Sequence, residues 1–537
     1  MIKYVESLEL RNWIVDGSEL ALIDLREEGE FSADGHLLFA TCLPSSQLEI
    51  RIRELVPRKS VRLVLCDGGE AITKNAAERL VQWGYSNIFI LSGGSKGWET
   101  SGNVLFRGVN VPSKAFGEFV EHHSGTPSIS PEELKLLLER NEDLIVLDSR
   151  PWVEYQRMNI PTGVDCPGAE LAYRIYDLVD NDQTTIVVNC AGRTRSIIGA
   201  QSLINFGVEN KVFALRNGTM GWALAGFDLE QGGDKKFPPI SEKSLEAGLS
   251  QIEDVVTRFG VQTIDQNIVK ELTQKSEYIS LFLLDVRNVE EYEAGHFPGS
   301  FHAPGGQLVQ ATDRWVGVKE ATLVLIDDTG IRAKMTASWL IQMGWRNVFV
   351  MSDVTALENL EKGPAMSLLL QPSAEVAGSA VDQVKSAIEQ SAVVLDFSSS
   401  LEYKAGHIPG AFWAVRSRLN ECLAAIPDTH NIICTCADGV LSRYAAADLL
   451  ELTDKTVSRL VGGNAAWRAS EQPMEVGFQN LTSLNNDIQY KAYDFDENVE
   501  AHMQEYLSWE LGLVDLINAD GTSRFVSLPA KSNQGIS

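Results

Sequence analysis

Cysteine is scarce in this chain: there are seven in 537 residues, an odd number without regular spacing. That excludes a disulfide framework and fits a reducing cytoplasm. Long apolar runs are missing as well. No stretch reaches the ~18 uncharged apolar residues that a membrane-spanning helix needs. The opening MIKYVESLELRNWIVDG lacks the unbroken apolar core of a secretion signal, so none is expected. Basic residues are outnumbered, 46 Lys plus Arg against 73 Asp plus Glu, for a net charge of −27. A surface this acidic repels nucleic acid and anionic lipid, and neither is expected as a partner. The eight histidines include adjacent His122 and His123 but no Cys/His cluster with zinc spacing. No GxGxxG or Walker pattern surrounds Gly93/Gly94, Gly218/Gly221 or Gly462/Gly463, so these read as structural turns.

Against these absences stand 44% apolar residues and 8% aromatics, enough for several packed cores. At roughly 100–200 residues per domain, the length predicts three to five domains. Internal repetition narrows the number. An apolar run ending in Asp recurs four times: ALIDLREEGEF (Asp24), LIVLDSRPWVEY (Asp148), LFLLDVRNVEEY (Asp285) and VVLDFSSSLEY (Asp396). The third and fourth copies continue into AGHFPGS and AGHIPGA, the first into DGHLLFA and the second into NIPTGVD, which has no His. Each copy then has a second strand (RLVLC, TIVVN, TLVLI, NIICT), a short loop, a helix and a further strand. Strands alternating with helices predict mainly parallel sheets covered on both faces. The units are placed at 1–110, 127–235, 262–365 and 374–478. Segments such as HHSGTP and QGGDKKFPPISEKS link them, and a helical tail over 480–537 is expected to dock on a domain and then fray.

This arrangement resembles the rhodanese family, repeated in tandem across about four-fifths of the chain. The resemblance rests on the strand-end pairs Asp24/Arg26, Asp148/Arg150 and Asp285/Arg287, the Gly-His-x-Pro-Gly turn, the strand-loop-helix, and the Gly-rich turn before Trp98, Trp222 and Trp467. It implies four rhodanese-like α/β domains and sulfurtransferase chemistry. In that chemistry a loop cysteine takes sulfane sulfur from an anionic donor such as thiosulfate as a persulfide, then passes it to cyanide or a thiol. No cofactor or metal is implied, because the step is nucleophilic displacement at sulfur.

Spacing shows which copy keeps the nucleophile. From the strand-end Asp to the first loop residue there are 43, 42, 42 and 40 positions, reaching Asp67, Cys190, Asp327 and Cys436. The first three copies confirm the register seventeen residues later, at Gly84, Gly207 and Gly344. Cys66 therefore lies one residue before the loop. The second loop, CAGRTRS, has two Arg and no acid, whereas DGGEAI and DDTGIRA carry acids that repel an anionic donor. The resemblance then implies that Cys190 is the nucleophile, with Arg193, Arg195 and Ser196 as donor binders and Asp148/Arg150 as an orienting pair. Charges beyond about 8 Å are screened, so the loop arginines outweigh the overall acidity. Copies one and three are expected to be non-catalytic.

In the fourth copy, CADGVLS, Cys436 is a secondary candidate, but Asp438 disfavours its thiolate. Cys434, two residues earlier on the strand, points to the same face, so a redox or sulfur-relay pair is weighed against two small buried residues, and burial is favoured. Cys42, Cys166 and Cys422 carry no assigned role, and the resemblance makes His296 and His407 structural turn residues. Two rival readings remain. Cysteine phosphatases place Arg six residues after Cys, where this loop has Ser196. A binding scaffold or low-turnover sulfur carrier would account for the copies that have lost the cysteine. Self-association into a homo-oligomer stays open.

Overall fold

The computed structural model describes residues 2–526 apart from 71 and 366. It holds four sheets, one for each sequence repeat. In the second, Ser128–Ile129, Val212–Leu215, Thr185–Asn189, Leu144–Asp148 and Val164–Asp165 lie side by side in that order, all parallel. LIVLD and TIVVN are aliphatic without alternation because helices cover both faces of the sheet and leave no wet side. Val146, Leu147, Ile186, Val187 and Val188 are accordingly buried. The third and fourth sheets repeat this order. The first gains a foreign strand: Val318–Lys319, from the third repeat, pairs antiparallel with Leu20 and Ala21. The four-repeat α/β architecture with a helical tail is thus the observed one.

Local signals work as physics requires. Ser130 accepts from the Glu133 amide at 3.2 Å and Glu133 accepts from the Ser130 amide at 3.0 Å, a complete capping box with Pro131 at the first helical position. The turn histidines are structural. His296 stacks on Tyr292 and His407 on Tyr403, with centroids 3.9 and 3.7 Å apart. In the second repeat Asn159 bridges to Glu230, as His296 does to Glu361 and His407 to Glu475. Trp98, Trp222 and Trp467 are buried, each donating its indole N–H to a backbone carbonyl.

Two helices occupy segments that the sequence reading leaves between units, Val111–Ser124 and Glu242–Phe259. Nor are the repeats beads on a string. One apolar core runs through the first three, from Ile23 and Leu65 through Leu203 to Trp339 and Leu340, while the fourth has its own. The second and third repeats meet along Gly168–Leu178, Thr194–Phe206 and Ile331–Gln342, where the Trp339 indole donates to the Ser202 hydroxyl at 2.8 Å. The tail helix Val499–Asp520 packs on Val111–Ser124, burying Met503, Leu507, Leu513 and Ile517. The expected frayed end, residues 527–537, lies outside the described residues. No helix among the described residues is long and apolar enough to cross a membrane.

One buried group works against stability. Asp165, beside Asp148 in the sheet register, is fully buried, and neither carboxyl oxygen has a hydrogen-bond partner. Burial, reinforced by the charge of Asp148, pushes its pKa up to about 7. Because the folded value exceeds the unfolded one, the folded state binds more protons between about pH 4 and 7, and stability falls as pH rises through that window. Asp165→Asn is therefore expected to raise stability by roughly 2–4 kcal/mol at pH 8. Thermal melts should show the gap closing towards pH 4.

Candidate active site

The Cys190 loop joins the strand Thr185–Asn189 to the helix Thr194–Phe206. The turn before it is fixed by Asp148 and Arg150, both buried. Nε and Nη2 of Arg150 donate to the two carboxylate oxygens at 2.9 and 2.7 Å, and the Asn189 amide adds 3.0 Å to Asp148. The pair shapes the backbone, as it does at Asp24/Arg26 and Asp285/Arg287. The loop is held from the other side by the turn at Gly218, where Thr219 N–H donates to Cys190 O at 2.8 Å and Met220 N–H to Ala191 O at 3.0 Å.

Cys190 is 2% exposed, its Sγ 3.5 Å from the Ser196 hydroxyl oxygen. That hydroxyl donates to Arg193 O at 2.8 Å, which leaves it an acceptor towards the thiol. Arg195 stands at the fifth place after Cys190. Its guanidinium donates to both oxygens of Glu154 at 3.2 and 2.9 Å and to the Gln307 side-chain oxygen at 3.3 Å. Burial alone would lower the proton affinity of Arg195, but Glu154 more than reverses this, and Cys190 itself contributes.

Arg193 requires a correction. Its Nε and Nη2 donate to the two oxygens of Glu118 at 2.7 and 2.8 Å, its Nη1 donates to Asn217 at 3.1 Å, and it also pairs with Glu121. The side chain anchors the loop to Val111–Ser124 and does not present itself to a donor anion. The charge of +2 counted along the loop is likewise matched in space, by Glu118, Glu121 and Glu154. Sequence spacing cannot see these acids, since they come from other elements. The tail was missed here for the same reason. Met503 and Leu507 pack on Ala191 and Met220. Glu510 is fully buried and accepts from Thr194, Tyr506 and Lys114 at 3.2, 2.9 and 3.1 Å.

The other loops show what occupies the cradle, the space between the loop's backbone N–H groups and the helix start that follows. In the first repeat the Asp67 carboxylate fills it, accepting the backbone N–H groups of Gly69 at 2.6 Å, Ile72 at 2.7 Å and also Glu70. A carboxylate folded back into the amides is the signature of an anion site. In the third repeat the cradle is filled from within. Asp327 accepts from the Asp328 amide at 2.9 Å and from Arg332 at 3.1 Å, and Arg332 also reaches Asp328, Glu291 and Glu170. In the fourth, Cys436 is seated as Cys190 is, also 2% exposed. Its Sγ accepts the Ser442 N–H at 3.3 Å and lies 3.5 Å from the Ser442 hydroxyl and 3.6 Å from Asp438. Burial pushes this thiol up, Ser442 pulls it back, and Asp438 adds to the rise. Cys434 packs in the same apolar cluster, and all seven cysteines are free. No metal-binding cluster occurs among the described residues.

Comparison with known proteins identifies the family. The rhodanese-like domain model matches residues 7–101, 130–225, 265–353 and 380–470. The crystal structure of thiosulfate sulfurtransferase from Pseudomonas aeruginosa is similar at a TM-score of 0.93 and 42% identity, over 98% of this chain and 99% of its own. The Bacillus subtilis protein YrkF, named a sulfur carrier, is 32% identical over 102 residues, 19% of this chain and 54% of its own. The dual specificity phosphatase Cdc25 of Arabidopsis thaliana is 32% identical over 106 residues, 18% of this chain and 72% of its own. The chain spans about half the length of YrkF. With four matched segments accounting for most of its length, the chain belongs to the rhodanese-like domain family.

Proposed function

We propose that the protein is a sulfurtransferase that moves sulfane sulfur from thiosulfate, or a similar anionic donor, to cyanide or a thiol through a persulfide on Cys190. One observation carries the reading: among the four loops, this one combines a cysteine, its Sγ 3.5 Å from the Ser196 hydroxyl, with an arginine, Arg195, at the adjacent position and no acid in the loop itself. Membership of the family and the 42% identity to a thiosulfate sulfurtransferase support the same class of reaction. The Cys190 thiolate attacks the outer sulfur of thiosulfate. A new S–S bond forms, the old one breaks, and sulfite leaves with its electron pair. Cyanide then attacks the outer persulfide sulfur, thiocyanate leaves, and the thiolate is restored. Arg195 and the loop amides stabilise the anions, while Arg193 and Asp148/Arg150 hold the loop in shape.

Two rival readings meet specific observations. The phosphatase relative matches over 106 residues, but Ser196 stands at the sixth place, where a Cys-x5-Arg phosphatase loop has its arginine. A scaffold role suits the first and third repeats, whose cradles are filled by their own carboxylates. Purified protein given thiosulfate and cyanide should produce thiocyanate, and it should leave an aryl phosphate uncleaved. Phosphate release that is lost in Cys190→Ser would overturn the reading. The chemistry needs Cys190 as a free thiol, which fits a reducing compartment such as the cytoplasm.

A further inference from the structure

The second and third repeats exchange one contact in both directions. The strand-end Asp of each is followed, twenty-two residues later, by a side chain reaching the loop arginine of the other: Glu170 after Asp148 and Gln307 after Asp285. Arg332, the third-repeat counterpart of Arg195, donates to Glu170 at 2.8 Å and also pairs with Glu291, the counterpart of Glu154. In the reverse direction Arg195 donates to Glu154 and to the neutral Gln307. The backbones cross where Gly168 meets Gly306, so closely that a Cβ on Gly306 would lie 2.9 Å from Gly168. A contact this tight fixes the register of the exchange.

The difference between the two directions is one formal charge. Arg332, fully buried, faces Glu170, Glu291, Asp327 and Asp328, with Arg174 nearby. Arg195 faces Glu154, whose charge it shares with Lys491 of the tail at 3.7 Å. Glu154 is the one carboxylate that pairs with both Arg195 and Lys491, while Asp494 beside Lys491 pairs with Arg157, and Gln307 is the position at which a second carboxylate would act directly on Arg195. Arg195 adjoins Ser196, whose hydroxyl oxygen lies 3.5 Å from Cys190 Sγ, so this charge stands beside the sulfur site.

We infer that Gln307, contributed by the third repeat, is a specificity-determining residue of the Cys190 site: its neutrality leaves Arg195 positive enough to admit an anionic sulfur donor. The inference rests on the Cys190 reading above and gives the otherwise inactive third repeat a part in the reaction. Gln307 touches the arginine and not the reacting sulfur, so it acts through charge.

Gln307→Glu changes charge at nearly constant shape. A charge added 3.3 Å from the Arg195 guanidinium in a partly buried site is expected to shift anion affinity on the order of five- to tenfold. The KM for thiosulfate should rise by that factor while turnover at saturation changes less than twofold. A second readout needs no sulfur transfer: the ratio of Cys190 alkylation rates with iodoacetate and with neutral iodoacetamide, read on the Cys190 peptide. The ratio should fall about five- to tenfold in Gln307→Glu and rise above wild type in Gln307→Lys, with both proteins melting as wild type does. If the ratio stays within twofold of wild type in both variants, the inference is wrong, even if Cys190 carries persulfide. Failure of wild-type protein to form persulfide from thiosulfate, with the ratio still moving as stated, would instead overturn the assigned reaction.

Discussion

Cys190→Ser is expected to lower thiocyanate formation from thiosulfate by at least about 10³-fold, equivalent to roughly 4 kcal/mol of transition-state stabilisation. Serine fits the site, which is 2% exposed and already borders a hydroxyl at 3.5 Å, so the melting temperature should change by only a few degrees. The lost activity is then chemical: an alcohol neither ionises near neutral pH nor forms a persulfide. Cys436 sets the floor. It is seated similarly, but burial and Asp438 hold its thiol up, so any residual rate should grow with pH and vanish in the Cys190→Ser/Cys436→Ser double variant.

Gly218→Ala should cost nearly as much activity without touching a reacting group. Gly218 has φ of +56°, and a Cβ there would stand 2.2 Å from Cys190 O and 2.8 Å from Gly192 O. The left-handed backbone alone penalises alanine by about 1–2 kcal/mol, and the overlap with backbone atoms cannot be relieved by turning a side chain. Either the turn or the Cys190 loop must move. Displacement of a reacting group by about 1 Å typically costs about 10²-fold, so kcat should fall by at least that much together with stability. Gly463→Ala offers the comparison, since its Cβ would meet Cys436 O at 2.1 Å. It should destabilise the fourth repeat and leave thiocyanate formation by Cys190 within twofold of wild type, which steady-state kinetics and a melt measure together.

The parts of the molecule that were legible in sequence are those whose causes are local. The buried strands announce themselves as unbroken aliphatic runs, the Ser130 helix start by its capping box, and the loop register by the distance from Asp148 to Cys190. Glu242–Phe259 carries the same kind of local signals: Ser241 caps it, Gly260 ends it, and Ile252, Val255 and Phe259 mark its buried face. What sequence could not yield is the surroundings of the loop. Glu118 lies 75 residues from Arg193, Gln307 lies 112 from Arg195, and Glu510 lies 316 from Thr194. Only packing of the first three repeats and the tail around one core brings them together. Hence the two arginines of CAGRTRS, equivalent in sequence, separate in space into one tied to Glu118 and one tied to Glu154 and Gln307.

The most direct test is peptide mass spectrometry after incubating the whole protein with thiosulfate and removing the excess. The account predicts one added sulfur on the peptide bearing Cys190, little on that bearing Cys436, and complete removal by cyanide with an equal yield of thiocyanate. Sulfur found on Cys436 while Cys190 remains a free thiol would contradict it.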